Sequence, residues 1–113
     1  MSIVQKLKCS EESSIQVAEK YYSILSAINK LRLTEREIQL VALCAVRGNM
    51  TYANVRQEFC ERYSSSVPTI NNIVFKLTKM RVLVKDGIQT KVAPVMSLNF
   101  EEGIKLEILL YVR

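Results

Sequence analysis

The stretch SSSVPTINNIVFKLTKMRVLVKDG, residues 64–87, carries the strongest structural signals in this 113-residue chain. After Pro68 the apolar residues recur at the i, i+3, i+4 and i+7 spacing that places them on one face of an α-helix. Proline suits the first turn of a helix because its missing N–H has no intrahelical partner there. The spacing predicts a helix over 67–80. Its core face is formed by Ile70, Ile73, Val74, Leu77 and Met80.

The opposite face of this predicted helix is polar and basic. It carries Thr69, Asn72, Lys76 and Lys79, with Asn71, Phe75 and Thr78 beside them. Asparagine can pair with adenine, lysine can reach guanine or phosphate, and threonine can bond either way or touch a thymine methyl group. The alternative is a face that is only solvated. For Phe75, the general tendency of large apolar residues predicts burial against the hairpin or the preceding helix.

Two short strands are predicted after this helix. RVLVK and IQTKVA, at 81–85 and 88–93, contain several β-branched residues. Between them lies Asp86-Gly87, a dipeptide typical of tight hairpin turns. Pro94 then ends the second strand, since proline cannot continue the pairing of a central strand.

Three more helices are predicted before residue 64. Ser10 is a candidate N-cap for a helix over 11–31, in which apolar residues recur at helical spacing. A second helix over 34–47 begins with a capping box, is apolar over most of its circumference and ends at Gly48. Thr51 is the expected cap of a third helix that ends near residue 63.

The two ends of the chain are β-compatible. Residues 3–7 form a short apolar segment, and residues 104–112 alternate between apolar and polar side chains, as a strand with one buried face does. No repeat, linker or low-complexity tract separates the segments, so 1–113 is expected to form one domain.

The excess positive charge of the chain lies in one segment. The formal net charge is +5, and residues 62–91 contain six basic residues against one acidic residue, Asp86. The rest of the chain has ten basic and ten acidic residues, so this segment holds the whole excess. A localised positive field is expected where a domain binds a polyanion. The alternative is that these lysines and arginines only solvate a surface.

The order helix, connector, helix, polar turn, helix and hairpin over 34–93 resembles the winged helix-turn-helix family of DNA-binding domains. LTEREIQLVAL, residues 33–43, is similar to the first helix of small transcriptional regulators, and LTERE also resembles LuxR-type helix-turn-helix domains. SVPTINNIVFKLTKMRVLVKDG, residues 66–87, is similar to the third helix and its wing. The family usually has glycine directly after the third helix. This chain has Arg81 there, so the helix is expected to end differently, because a left-handed conformation is costly for arginine.

The resemblance implies an α+β fold that is mainly α. Residues 34–93 would form the winged-helix core. Residues 1–33 would add an N-terminal strand and helix, and residues 94–113 a C-terminal strand extension.

The resemblance and the polar helix face together predict a small transcriptional regulator that binds double-stranded DNA. Helix 67–80 would lie in the major groove, and hairpin 82–93 would form the wing. Serines before the helix and lysines of the hairpin are expected at phosphates. The predicted DNA-contacting residues are Ser65, Ser66, Thr69, Asn71, Asn72, Phe75, Lys76, Lys79, Lys85 and Lys91.

A second hypothesis is a protein–protein interaction module of the same fold. It would be a phage or virion assembly component, a replication accessory protein or an inhibitor of a host enzyme. Homodimerisation is a further prediction, because many helix-turn-helix proteins bind two half-sites. The candidate dimer contacts are Tyr21, Tyr22, Leu109 and Tyr111. The alternative is that the first helix covers the domain's own core and the last strand joins its sheet.

Other classes of function have little support in the sequence. The chain has no histidine, and Cys9, Cys44 and Cys60 are too widely spaced for a Cys/His metal site, so no metal or cofactor is expected. No paired carboxylates or glycine-rich phosphate loop indicate an enzyme. No signal peptide and no run of about 18 apolar residues is present, which predicts a cytoplasmic protein without membrane contact. It would be associated with the nucleoid, or with the host cytoplasm if the protein is viral.

Overall fold

A computed structural model describes residues 13–98. These residues form four α-helices, one antiparallel hairpin and a short 3₁₀ helix. The predicted α+β class, mainly α, is confirmed for this part of the chain, and the strands predicted at 3–7 and 104–112 lie outside it. The elements are α1 (Ser14–Ile28), α2 (Glu35–Arg47), α3 (Ala53–Tyr63), α4 (Val67–Lys79), β1 (Leu83–Asp86), β2 (Gln89–Val92) and the 3₁₀ helix Pro94–Met96.

Helix α2 is the central element, as its apolar circumference predicts. Its capping box is present: the Thr34 hydroxyl accepts from the Glu37 N–H at 3.3 Å, and the Glu37 carboxylate accepts from the Thr34 N–H at 2.8 Å. Gly48 ends the helix in the left-handed conformation, with φ of 90°. Between these ends lies a run of fully buried side chains, Leu40, Val41, Ala42, Leu43 and Cys44.

One hydrophobic core receives side chains from all the helices and both strands named above. Tyr22 of α1, Phe59 of α3, Leu77 of α4 and Leu83 of β1 are among its largest fully buried members. The Cys44 thiol lies in the same core and donates to the Thr90 carbonyl oxygen at 3.7 Å. Burial raises the pKa of this thiol to about 12, as expected of an inert core cysteine. No helix within residues 13–98 is long and apolar enough to cross a membrane.

The prediction that Tyr22 contacts a second subunit is wrong. Its side chain is only 2% exposed, and its hydroxyl donates to the Met96 carbonyl oxygen at 2.7 Å. Tyr21 meets the Tyr22 ring edge-on at 5.2 Å between centroids and is half-buried. Helix α1 therefore covers the core of its own domain. Leu109 and Tyr111, the other candidate dimer contacts, lie outside the described residues.

Two helix caps differ from the predicted ones. Helix α1 begins at Ser14, and the Ser13 hydroxyl accepts from the Gln16 N–H at 3.2 Å. Ser10, the predicted cap, lies outside the described residues. Helix α3 begins after Tyr52 without a side-chain cap. Thr51 does not cap this helix because its hydroxyl is used elsewhere in the fold.

The connector between α2 and α3 pairs with the hairpin. The Met50 N–H donates to the Thr90 carbonyl at 2.9 Å, and the Thr90 N–H donates to the Thr51 hydroxyl at 2.6 Å. Both bonds reach the edge of β2 that β1 does not cover. They fix the hairpin against the helical part of the domain.

The hairpin turn lies one residue later than predicted. Leu83 pairs with Val92, and Asp86 belongs to β1, so the turn is formed by residues 87–88. Gly87 has φ of 64°, and the residue after it has no positive φ, which is the φ pattern of a type II′ turn. The register follows from burial of Leu83 and Val92 on one face, since a slip of one residue would turn them outward.

Helix α4 ends with a residue in the left-handed conformation, although that residue is arginine. Arg81 has φ of 62°. Its N–H donates to the Thr78 carbonyl at 3.1 Å, and the Val82 N–H donates to the Leu77 carbonyl at 3.0 Å, which together form a Schellman motif. The expectation that arginine would end the helix differently is therefore wrong. Val82, directly after this turn, is buried in the core.

Replacing Arg81 by glycine is expected to raise the free energy of unfolding by about 1 kcal/mol, because glycine adopts positive φ without steric cost. Urea unfolding followed by circular dichroism measures the change. The reciprocal control is Gly48→Ala. It should destabilise by about 1 kcal/mol through backbone strain alone, because no atom lies within 4 Å of a Cβ added there. Loss of stability in Arg81→Gly would contradict the expected relief of strain.

Candidate nucleic-acid interface

The serine turn between α3 and α4 orients the start of α4. Ser64 adopts φ of 51°, and the Ser65 N–H donates to the Cys60 carbonyl at 3.1 Å, which ends α3. The Ser66 hydroxyl caps α4 by accepting from the Thr69 N–H at 3.4 Å, and it lies 3.0 Å from the Thr69 hydroxyl. Pro68 lies in the first turn, as predicted. Ser66 and Thr69 are exposed and Ser65 is half-buried.

The outward face of α4 is not covered by any other element within residues 13–98. Asn72, Phe75 and Lys79 lie along it and are all exposed. Phe75 is 63% exposed, and the Lys79 ammonium lies 4.5 Å from its ring centroid. Burial of Phe75 against the hairpin or α3 is thus excluded. Phe75 lies five positions after buried Ile70. At about 100° per residue, its side chain points about 140° away from the direction of Ile70 and the core.

Lys76 forms an ion pair with another helix and does not present a free charge on the outward face of α4. Its ammonium lies 2.7 Å from a carboxylate oxygen of Glu37, whose side chain is only 6% exposed. Burial alone would raise the pKa of Glu37, but hydrogen bonds from Lys76 and Thr34 outweigh it and hold that pKa below its ordinary value. Lys76 therefore joins α4 to the N-terminus of α2, a pair that no pattern in the sequence indicates.

Asn71 is also held by a residue of another helix. Its side-chain oxygen accepts from the Arg56 guanidinium at 2.6 Å. The same guanidinium donates to the Met50 carbonyl oxygen at 3.0 Å. Arg56 was not among the predicted site residues, because periodicity along α3 shows only that it lies off the apolar face. Its partners come from the connector and from α4, so only the tertiary structure identifies it.

The two hairpin lysines are in different environments. Lys85 is exposed on β1. Lys91 on β2 is half-buried, and its ammonium lies 3.3 Å from the Asp86 carboxylate. Ile88 at the turn is 80% exposed, so the tip of the hairpin presents an apolar side chain.

Ion pairs neutralise about half of the localised positive charge. Arg62 pairs with Glu58 at 3.5 Å, in addition to the pairs of Lys76 and Lys91 described above. Among residues 13–98, no carboxylate lies within 4 Å of Lys79, Arg81 or Lys85. The free positive charge of residues 62–91 is thus concentrated at the end of α4 and on β1.

The predicted site residues divide into two groups. Asn72, Phe75, Lys79 and Lys85 are exposed and available to a ligand. Thr69 is exposed as well, but its hydroxyl lies 3.0 Å from that of Ser66. The remaining five are half-buried or take part in bonds of the fold. Asparagine amides, a lysine and an aromatic ring on one exposed helix can bind hydrogen-bond acceptors, anions and apolar groups. Comparisons of the chain with protein-family models, with curated proteins and with solved structures find no match.

Proposed function

We propose that this chain is a winged helix-turn-helix protein that binds duplex DNA, with α4 in the major groove and the β1–β2 hairpin as the wing. The observation that carries the proposal is the uncovered outward face of α4. Phe75, 63% exposed on this face with the Lys79 ammonium 4.5 Å from its ring centroid, adds an apolar contact surface to it. Asn72 and Lys79 on the same face have the chemistry of base and phosphate contacts.

The arrangement of the elements also supports this proposal. Helices α2, α3 and α4 are followed directly by a hairpin, which is the element order of a winged helix. The connector at Met50 bonds to Thr90 of β2 at 2.9 Å, so the hairpin extends from the side of the three-helix unit. A hairpin held in this way can reach DNA beside the helix that enters the groove.

The proposed mechanism is occupancy of a DNA site by a small transcriptional regulator. Thr69 and Asn72, in the first half of α4, would face base edges, as the N-terminal part of a recognition helix does. Phe75 would touch a thymine methyl group. Lys79 and Lys85, which lack a carboxylate partner among residues 13–98, would bind phosphates on either side of the groove.

The test is fluorescence polarisation with a labelled random duplex over a range of salt concentrations. The Lys79→Ala/Lys85→Ala double variant should bind more weakly. The slope of its log binding constant against log salt concentration should be smaller in magnitude by about two. Each lysine accounts for one neutralised phosphate in the wild type. Lys76 is unsuitable for this test because its removal leaves the buried Glu37 carboxylate unpaired.

The matched control is Lys20→Ala, which removes one positive charge from α1, away from α4 and the hairpin. Its salt slope should remain that of the wild type, while single changes at Lys79 or Lys85 each lower the slope by about one. Equal slopes for the wild type and the double variant would refute contact of these lysines with phosphate.

A protein–protein interaction module remains the second candidate, and one observation favours it. Exposed aromatic side chains are frequent anchors of protein interfaces, and the Phe75 ring under the Lys79 ammonium would suit a partner with an acidic, apolar surface. The same assay separates the candidates. Absence of binding to random duplex at about 50 mM salt would favour a protein partner, because non-specific DNA binding is strongest at low salt.

A further inference from the structure

Arg56 is held in place by groups from two other segments. Its Nε–H donates to the Met50 carbonyl oxygen at 3.0 Å, and its Nη1–H donates to the Asn71 side-chain oxygen at 2.6 Å. The bond to Met50 anchors the guanidinium on the connector that pairs with the hairpin. The short, charge-assisted bond to Asn71 then fixes the amide of a residue on α4.

The orientation of the Asn71 amide follows from the chemistry of its partner. Arginine has only N–H donors and no acceptor, so only the carbonyl oxygen of Asn71 can face Arg56. An amide flip would bring the NH₂ group against the guanidinium and is excluded. The oxygen of Asn71 is thus directed toward α3, and its NH₂ group remains available on the exposed side.

The neighbouring Asn72 has no such constraint. It is exposed, and its side-chain amide makes no hydrogen bond within residues 13–98. Two adjacent asparagines on α4 therefore differ in what they can offer. Asn72 can present both its oxygen and its NH₂ group to one ligand, whereas Asn71 presents its NH₂ group.

We infer that Arg56, by holding the Asn71 oxygen, turns the Asn71 NH₂ group toward the DNA, so that α4 favours guanine over adenine at the base that Asn71 faces. This inference rests on the proposed binding of DNA by α4. The bidentate contact with adenine needs the amide oxygen and NH₂ group to face the same base edge. Guanine offers two adjacent acceptors, O6 and N7, to an NH₂ donor, whereas adenine offers one acceptor, N7, beside its N6 donor group. Arg56 acts as a positioning residue that sets this preference through Asn71.

The experiment is selection of binding sites from a random duplex pool, with sequencing of the retained DNA. Asn71→Ala first identifies the base pair, since the preference at that pair should disappear. The wild type should select guanine there. Arg56→Met frees the Asn71 amide. The frequency of adenine at this position of the retained DNA should then rise by roughly tenfold relative to the wild type. Asn72→Ala is the matched control and should change a different base pair.

A second variant tests the same inference without replacing Arg56, so its result does not depend on whether Arg56→Met folds. Asn71→Asp preserves an oxygen for Arg56 and removes the NH₂ donors, so the preference should move from guanine to cytosine or adenine, whose exocyclic amino groups are donors. Retention of guanine by Asn71→Asp would overturn the inference. Selection of adenine by the wild type at this pair, or a wild-type profile unaffected by Asn71→Ala, would also overturn it. Failure of the wild type to retain any duplex would refute DNA binding itself.

Discussion

Replacing Phe59 by alanine is expected to lower the free energy of unfolding by about 3–5 kcal/mol, the range found for large-to-small changes in protein cores. Phe59 is fully buried, and its ring centroid lies 4.9 Å from that of Tyr63 on the same helix. The substitution removes an aromatic ring from the core around α2 and leaves a cavity that rigid helices fill only in part. Urea unfolding followed by circular dichroism measures the change.

Phe75→Ala is the matched control, because it makes the same chemical change on the exposed face of α4. Its free energy of unfolding should fall by no more than about 1 kcal/mol, because the change removes only the exposed contact with the Lys79 ammonium. Its affinity for duplex DNA should fall, since alanine is too short to touch the thymine methyl group proposed above. A large loss of stability in Phe75→Ala would mean that Phe75 is a core residue, which would remove the main support for a ligand-binding face.

Replacing Lys76 by methionine is expected to cost about 2 kcal/mol of stability at pH 7. Removing one partner of a fully buried ion pair costs more, about 3–5 kcal/mol. Here the Lys76 side chain is 53% exposed, so solvent already screens the pair, and the expected cost is smaller. Methionine retains most of the aliphatic length, so the loss reports on the unpaired Glu37 carboxylate rather than on packing.

The pH dependence of this cost has a definite sign. The folded state holds the pKa of Glu37 below its ordinary value of 4.5, so the pair stabilises the wild type above that pH. This stabilisation is lost as pH falls through the lowered pKa of the folded state. Without Lys76, burial favours the neutral carboxyl and only the Thr34 hydrogen bonds oppose it. The difference in free energy of unfolding between wild type and variant should therefore be largest at pH 7 and smaller at about pH 3.

Lys79→Met, one helical turn further along α4, is the control. It removes the same charge and disrupts only the exposed interaction with the Phe75 ring, which is worth about 0.5–1 kcal/mol. Its stability relative to the wild type should not change between the two pH values. A Lys76→Met variant that is as stable as Lys79→Met at pH 7 would contradict the structural role of the Lys76–Glu37 pair.

Local sequence signals predicted most of the elements of residues 13–98. The capping box at Thr34, Gly48 after α2 and Pro68 in the first turn of α4 each act within a few residues, so their effects are visible in the sequence. The errors arose where a group distant in the sequence bonds to a side chain to which local patterns assigned another role. Thr51 would cap α3, but its hydroxyl is taken by the Thr90 N–H at 2.6 Å.

The candidate site was predicted less well than the fold. Helical spacing correctly placed Asn72 and Lys79 on the exposed side of α4, because their direction depends only on their angle from the apolar face. Spacing could not show that Lys76 reaches Glu37 or that Arg56 holds Asn71, since each pair joins two helices. The general tendency of phenylalanine to be buried also failed for Phe75, whose position on the helix directs it outward.

Patterns of neighbouring residues were enough to predict the order of helices and strands within residues 13–98, the apolar face of each helix and the segment with the excess positive charge. These properties depend on the backbone preferences and hydrophobicity of neighbouring residues, which act over one or two helical turns. Packing of the elements against one another determines which positive charges remain unpaired, which side-chain amide is held by a partner and that Tyr22 belongs to the core. Ion pairs, hydrogen bonds and burial depend on groups that are far apart in sequence and meet only when the helices and the hairpin pack together.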